Sequence, residues 1–313
     1  MKNLILGKDI PIKPVPSPFK VKHGLTAIEF GKTDESILQY LHFFSSIVPF
    51  EKKTFIHVIP EMSLLDALFT KVKDIPFNRQ DLRSRLVRTL QDKIQIYFSP
   101  ENKTNQAFIM EGDPLENLLK AEKEINADLL LIGQDSNKRH HDILGKNLVQ
   151  KSKGNALIIP SAALTSITQI LVPIDFSPHS RQALQTAINI NKNLENPATI
   201  IVLHVYEMPT LSNYKIGYTL ETYQDTVKDN LAKTMENFLA SFASEDRSLI
   251  KTQLASKKFW STAKQINSIA KKENIDFVVM GIKGHSRVET LLLGSVAERF
   301  ITLNKSIATM MVR

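Results

Sequence analysis

Along the chain, short and nearly continuous apolar runs alternate with stretches whose apolar positions recur every three or four residues. Residues 169–174 lack polar alternation, as expected of a strand covered on both faces. Ser177-Pro178 follows, an N-cap with proline at the first helical position, and Ala183, Leu184, Ala187 and Ile188 continue at helical spacing. The next strand is predicted at 199–205, a long helix at 223–242 and a third strand at 248–255. Trp260, Ala263, Ile266, Ile269 and Ala270 mark one helical face ahead of a strand at 276–280, and Ser295 opens a last helix. A strand at 307–312 closes the sheet. The first half repeats this order, with strands at 25–30, 54–59, 94–98, 129–132 and 156–159 and a capped helix start at Asp113-Pro114-Leu115-Glu116. Such alternation predicts an α/β chain of two tandem, doubly wound parallel-sheet domains with right-handed crossovers.

The two halves resemble each other in sequence. TFIHVIP at 54–60 matches IVLHVYE at 201–207, NADLLLIG at 126–133 matches NIDFVVMG at 274–281, and AIEF at 27–30 aligns with PIDF at 173–176. His57 to His204, Gly133 to Gly281 and Glu29 to Asp175 give offsets of 147, 148 and 146 residues. A nearly constant offset across three anchors indicates a duplicated domain. The halves are assigned to 23–162 and 167–313, behind a proline-rich arm at 1–22 whose IPIKPVPSPF favours extended polyproline II backbone.

Composition narrows the function classes. Hydrophobic content of 42% and charged content of 23% belong to an ordinary globular chain with a real core. With no cysteine, disulfides and thiolate chemistry are excluded, and the chain suits a reducing, cytoplasmic compartment. The net charge of +8 comes from basic residues scattered along the chain with few aromatics among them, which reads as a solvated surface rather than a nucleic-acid interface. The uncharged stretch 155–174 nearly has the length of a membrane helix, but Pro160, Pro173 and a polar middle make it strand, linker, strand. The first residues lack the apolar run and cleavage pattern of a signal peptide.

Candidate chemistry concentrates near the C-terminus. Glycine is scarce, 11 in 313 residues, yet Gly281, Gly284 and Gly294 fall close together in GIKGHSRVETLLLGS. Gly281 ends an apolar strand, the edge at which open parallel sheets bind ligands. Gly294-Ser295 opens a helix, whose free N–H groups and partial positive charge suit phosphate, and Ser295 with Glu298 has the form of a capping box. Any one of these residues alone is explained by a turn or a cap; together they favour bound phosphate. Gly31-Lys32-Thr33 ends like a P-loop, but Thr26 stands where that motif needs glycine. His140-His141 reads as surface histidine, and no nucleophile–base pair or carboxylate set for Mg²⁺ is found, which argues against an efficient phosphotransferase. Lys283, His285 and Arg287 lie in the glycine loop, within reach of a phosphate or simply in solvent.

The pattern G-x2-G-x9-G-[ST] behind VVMG resembles the nucleotide-binding signature of the universal stress protein family, with ILVPIDFS at 170–177 resembling the family's opening strand and His204-Val205 its second strand. The resemblance covers both halves and implies a tandem member with the universal stress protein, or adenine nucleotide alpha hydrolase-like, fold. It implies ATP, or AMP or ADP, in the second domain, with Asp175 near adenine and ribose and Val205 contacting adenine through its backbone. Gly281, Gly284, Gly294, Ser295 and Val296 would then surround ribose and phosphates. On residue chemistry alone, Asp175 serves equally well as a helix-capping carboxylate. The resemblance further implies domains paired through their last strands, room for a homodimer, and a nucleotide-dependent regulator of stress response. A slow ATP hydrolase and a non-nucleotide scaffold are the alternatives. In the first half, Ser136 replaces the second glycine, Lys146 follows Gly145 where the signature has Ser or Thr, and Glu29 replaces the aspartate, so that half is expected not to bind ATP in the family manner.

Overall fold

The computed structural model describes residues 18–61, 79–99, 104–135, 139–208, 220–257, 259–284 and 293–313. It forms two compact units, the first made of 19–166 with 305–311 and the second of 167–304 with 312–313. The predicted N-terminal arm at 1–22 lies outside the described residues up to position 17; beyond that, Phe19 is buried and Val21 and Lys22 already belong to the first strand.

In the first unit, β1 (Val21–Ala27), α1 (Thr33–Ile47), β2 (Phe50–Ile59), α2 (Arg79–Gln95), β3 (Asn105–Glu111), α3 (Pro114–Ile125), β4 (Leu129–Gln134), α4 (Arg139–Lys151) and β5 (Asn155–Pro160) follow in order. β1 to β5 pair in parallel in the order β3-β2-β1-β4-β5, and β10 (Ala308–Val312) adds an antiparallel strand, with Thr309 opposite Ile158 and Met310 opposite Leu157. The second unit comprises β6 (Gln169–Ile174), α5 (Pro178–Asn191), β7 (Thr199–Tyr206), α6 (Leu220–Ala240), β8 (Ile250–Ser256), α7 (Thr262–Lys272), β9 (Phe277–Gly281) and α8 (Ser295–Leu303). Its parallel strands run in the order β9-β6-β7-β8. Five successive residues of β6 and the first four of β9 are buried, which is why those stretches read without alternation. The uncharged stretch 155–174 is β5, a joint and β6, and among the described residues no helix is long and apolar enough to cross a membrane.

Each repeated motif has the same task in both units. Asn126 and Asn274 end α3 and the α7 segment in left-handed backbone, φ 51° and 49°, a conformation asparagine tolerates better than most residues. Two residues on, Asp128 accepts hydrogen bonds from the backbone N–H of Lys22 and His23, both at 3.0 Å. Asp276 does the same for Thr168 (3.0 Å) and Gln169 (2.9 Å) and also takes the Thr168 hydroxyl at 2.7 Å. These carboxylates satisfy the leading amides of β1 and β6 and so fix where each central strand begins. At the other end, His57 Nδ1 donates to the Ile28 carbonyl at 2.8 Å and His204 Nδ1 to the Ile174 carbonyl at 2.9 Å. Phe30 and Phe176, at φ 56° and 63°, lay their rings against these histidines with centroids 4.2 and 4.5 Å apart.

Two expected elements are corrected. Residues 94–98 are not a strand: Ile94 and Phe98 bury at helical i, i+4 spacing around the end of α2, while Ile96 between them is exposed. The strand is β3, an edge strand whose alternating burial leaves Phe108 exposed. Trp260 is not part of the α7 face; it precedes the Ser261 N-cap and is 45% exposed, whereas Ala263, Ile266, Ile269 and Ala270 are buried.

Candidate functional site

In the second unit the chain order reverses beside β6, which has β7 on one side and β9 on the other. A crevice opens beyond the carboxyl ends of the strands at such a switch point. Here a cavity of about 230 Å³ lies there, entirely within the second unit. It brings together all seven residues singled out from the sequence: Asp175 after β6, Val205 in β7, Gly281 and Gly284 after β9, and Gly294, Ser295 and Val296 at the start of α8. Sequence reasoning missed two further walls, Thr262 and Ile266 of α7, and it used His204 as a repeat anchor and family marker rather than as a site residue. The spacing of Ile266 on the buried face of α7 points toward the sheet but not toward a cavity.

The glycines divide by what crowds them. A Cβ on Gly281 would lie 2.9 Å from the carbonyl carbon and oxygen of His179, so this glycine admits the first turn of α5. A Cβ on Gly284 would run into the Asp175 carboxylate. On Gly294 it would lie 3.2 Å from the Ile282 carbonyl oxygen. The two ends of the glycine segment are tied together, with Gly294 N–H donating to the Ile282 carbonyl at 2.8 Å, and Ile282 N–H donates to that of Val312 at 2.9 Å.

The capping box expected of Ser295 and Glu298 does not form. Gly294 is the N-cap of α8, with no side-chain cap, because its amide is drawn to Ile282 and Ser295 becomes the first helical residue. The first intrahelical bond runs from Glu298 N–H to the Gly294 carbonyl at 2.9 Å, so the amides of residues 295–297 precede it. α5, in contrast, carries its own cap, the Ser177 hydroxyl accepting from Ser180 N–H at 3.2 Å. Asp175 accepts from Ser177 N–H at 3.1 Å.

Charge at the crevice is mixed. Burial lowers the pKa of His179, and the Lys283 ammonium lowers it further, against the opposing pull of Asp175. Burial likewise lowers that of His204, outweighing its bond to the Ile174 carbonyl. Both imidazoles are held toward their neutral forms, and His204 keeps its proton on Nδ1 for that carbonyl. Among the described residues no group of three His, Asp or Glu side chains could hold a metal ion. His285 and Arg287 lie outside the described residues, as do Ser136 and the side chains of His140 and His141.

The first unit builds the corresponding place differently. Gly145, the counterpart of Gly294, lies in the middle of α4 rather than at a helix start, so the amides after it are engaged in the helix. Ile37 packs where a Cβ on Gly133 would fall. Asp34 is fully buried, accepting from Glu29 N–H at 3.0 Å and facing Lys93 Nζ at 3.2 Å.

The universal stress protein family model matches residues 166–305. A universal stress protein of Methanocaldococcus jannaschii is 29% identical over 133 residues, which is 42% of this chain and 75% of that protein. A crystal structure of a universal stress protein from Archaeoglobus fulgidus is similar with a TM-score of 0.60 at 16% identity, covering 93% of this chain and 96% of the other. A functionally unknown protein from Pseudomonas aeruginosa is similar with a TM-score of 0.61 at 12% identity, covering 93% and 92%. At such identities the structural likenesses speak for the fold, and they span both halves. The duplicated α/β units and the glycine-lined switch point accompany a sequence match that ties the second half of the chain, residues 166–305, to the universal stress protein family.

Proposed function

We propose that the second unit binds an adenine nucleotide, ATP foremost, in the β6–β9 crevice, and that the chain acts as a nucleotide-dependent regulator of stress response rather than as a catalyst. The observation that carries this reading is the convergence of Asp175, Val205 and the Gly281–Gly284–Gly294-Ser295-Val296 set on one cavity. The amides ahead of the first intrahelical bond of α8 present donors and a partial positive charge to phosphate. Lys283 lines the same cavity and brings charge of the right sign. Asp175 supplies acceptors for ribose hydroxyls or the adenine amino group, and the neighbouring Val205, Leu203 and Ile266 give the base an apolar bed.

Protein purified without added nucleotide and then denatured should release adenine nucleotide identifiable by mass spectrometry, in an amount that drops for Gly294→Asp. The aspartate fits the backbone there, φ −70° and ψ 144°, but sets a carboxylate against the phosphate position. If the unmutated protein releases none and shows no affinity for added ATP, the reading fails.

A further inference from the structure

The turn that enters the helix after the third strand differs between the two units. In the first it is Gly112-Asp113-Pro114, with Gly112 at φ 115° and Asp113 as the N-cap of α3. In the second the turn is longer: Lys257, whose amide bonds to the Tyr206 carbonyl as that of Gly112 bonds to Ile59, lies four residues ahead of Ser261, the N-cap of α7. The added length of the second turn ends on the chain's single tryptophan, preceded by a fully exposed Phe259. Large exposed aromatics standing together call for an explanation, because burying them would be favourable.

Their place in the fold supplies one. Thr262 and Ile266, two and six residues beyond Trp260, line the crevice together with Val205 and Leu203. The turn is anchored there: Lys257 N–H donates to the Tyr206 carbonyl at 2.6 Å, and its ammonium meets Glu207 at 2.8 Å. Lys264 Nζ sits 4.9 Å from the Trp260 ring centroid, covering one face, while 45% of the residue remains exposed. The cavity itself, about 230 Å³, falls below the range of about 300–1,000 Å³ usual for small-molecule sites. A nucleotide seated in it therefore extends past its walls, one of which, Thr262, follows Trp260 by two residues.

We propose that Trp260 is a positioning residue for the bound nucleotide, forming the outer wall of the base end of the crevice by stacking on the purine ring. The inference rests on the nucleotide-binding reading above. Stacking on an aromatic face strengthens binding of any purine, so Trp260 contributes affinity without choosing between adenine and guanine.

The test uses the full chain, with equilibrium dialysis of ATP as a measure of binding that does not involve tryptophan. ATP should shift the emission of Trp260 with the same midpoint that dialysis gives. Trp260→Ala should weaken ATP at least about fivefold, and Trp260→Phe should recover most of that loss. GTP, where it binds, should lose by the same factor. Unchanged emission at saturating ATP, or equal ATP affinity of Trp260→Ala and the unmutated chain, overturns the proposal while leaving the nucleotide site standing. Absence of ATP binding by dialysis in the unmutated chain overturns both.

Discussion

Gly281 at the end of β9 lies against the backbone of His179 at the start of α5, where a Cβ would come within 2.9 Å of the His179 carbonyl carbon and oxygen. The first glycine of the signature is thus required by packing between two elements of the protein, whatever the crevice holds. Gly281→Ala should therefore destabilise the second unit by about 1–3 kcal/mol, since backbone must shift to make room. Gly31→Ala is the control: the nearest atom to a Cβ there is 3.9 Å away, so urea unfolding should show little change. Equal stability of Gly281→Ala and the unmutated chain would remove this packing argument.

Gly284→Ala should behave in the opposite way. The group in the way of its Cβ is the Asp175 carboxylate, the far end of a side chain that can turn aside at small cost. Unfolding should change little, while ATP affinity falls roughly tenfold or more as Asp175 loses the hydrogen bonds to the nucleotide that we propose for it, about 1.5–3 kcal/mol for a charged acceptor. Calorimetric titration beside a urea curve separates the two effects, and a stability loss like that of Gly281→Ala would contradict the geometry.

Asp276→Ala should cost about 3 kcal/mol, because it leaves the Thr168 and Gln169 amides and the Thr168 hydroxyl without their shared acceptor. The loss should appear in the unfolding of the second unit, with Asp128→Ala producing the counterpart in the first. A change below about 0.5 kcal/mol for Asp276→Ala would show that the carboxylate does not secure β6.

Stability should also fall in acid. His23, His57, His179 and His204 all have their pKa values lowered from 6.5, each chiefly by burial. A depressed folded value means that the neutral form is favoured by folding; its contribution is complete above pH 6.5 and disappears as pH falls through the folded values. The urea midpoint should therefore be higher at pH 7.5 than at pH 5.5. The doubly substituted His57→Asn/His204→Asn chain, which keeps a donor for the Ile28 and Ile174 carbonyls, should show a weaker dependence. An unchanged slope would assign the acid sensitivity elsewhere.

Much of the fold was legible in the sequence because the repeated motifs are the ones with structural duties. Asn126 and Asn274 turn the chain out of a helix, Asp128 and Asp276 fix the central strands, and His57 and His204 hold their far ends. The seven candidate site residues were named for a different reason, the glycine spacing and the resemblance to universal stress proteins, and they line one cavity because they fall at strand ends and at a helix start. The failures are local. IQIYF has the composition of a strand, and only burial of Ile94 and Phe98 reveals the end of a helix. Ser295 has the sequence of a cap, but the bond between Gly294 N–H and the Ile282 carbonyl, a contact between residues twelve apart, moves the cap one residue back. The role of α4 was also hidden, since nothing near Gly145 announces that the helix begins at Arg139.

The central claim is that one crevice per chain, the one in the second unit, holds the nucleotide. Equilibrium dialysis of the full chain against labelled ATP tests it most directly. The account predicts saturation at one nucleotide per chain, with binding abolished by Gly294→Asp in a chain that still folds and unfolds cooperatively. Two equivalent sites per chain, or undiminished binding by the Gly294→Asp chain, would contradict it.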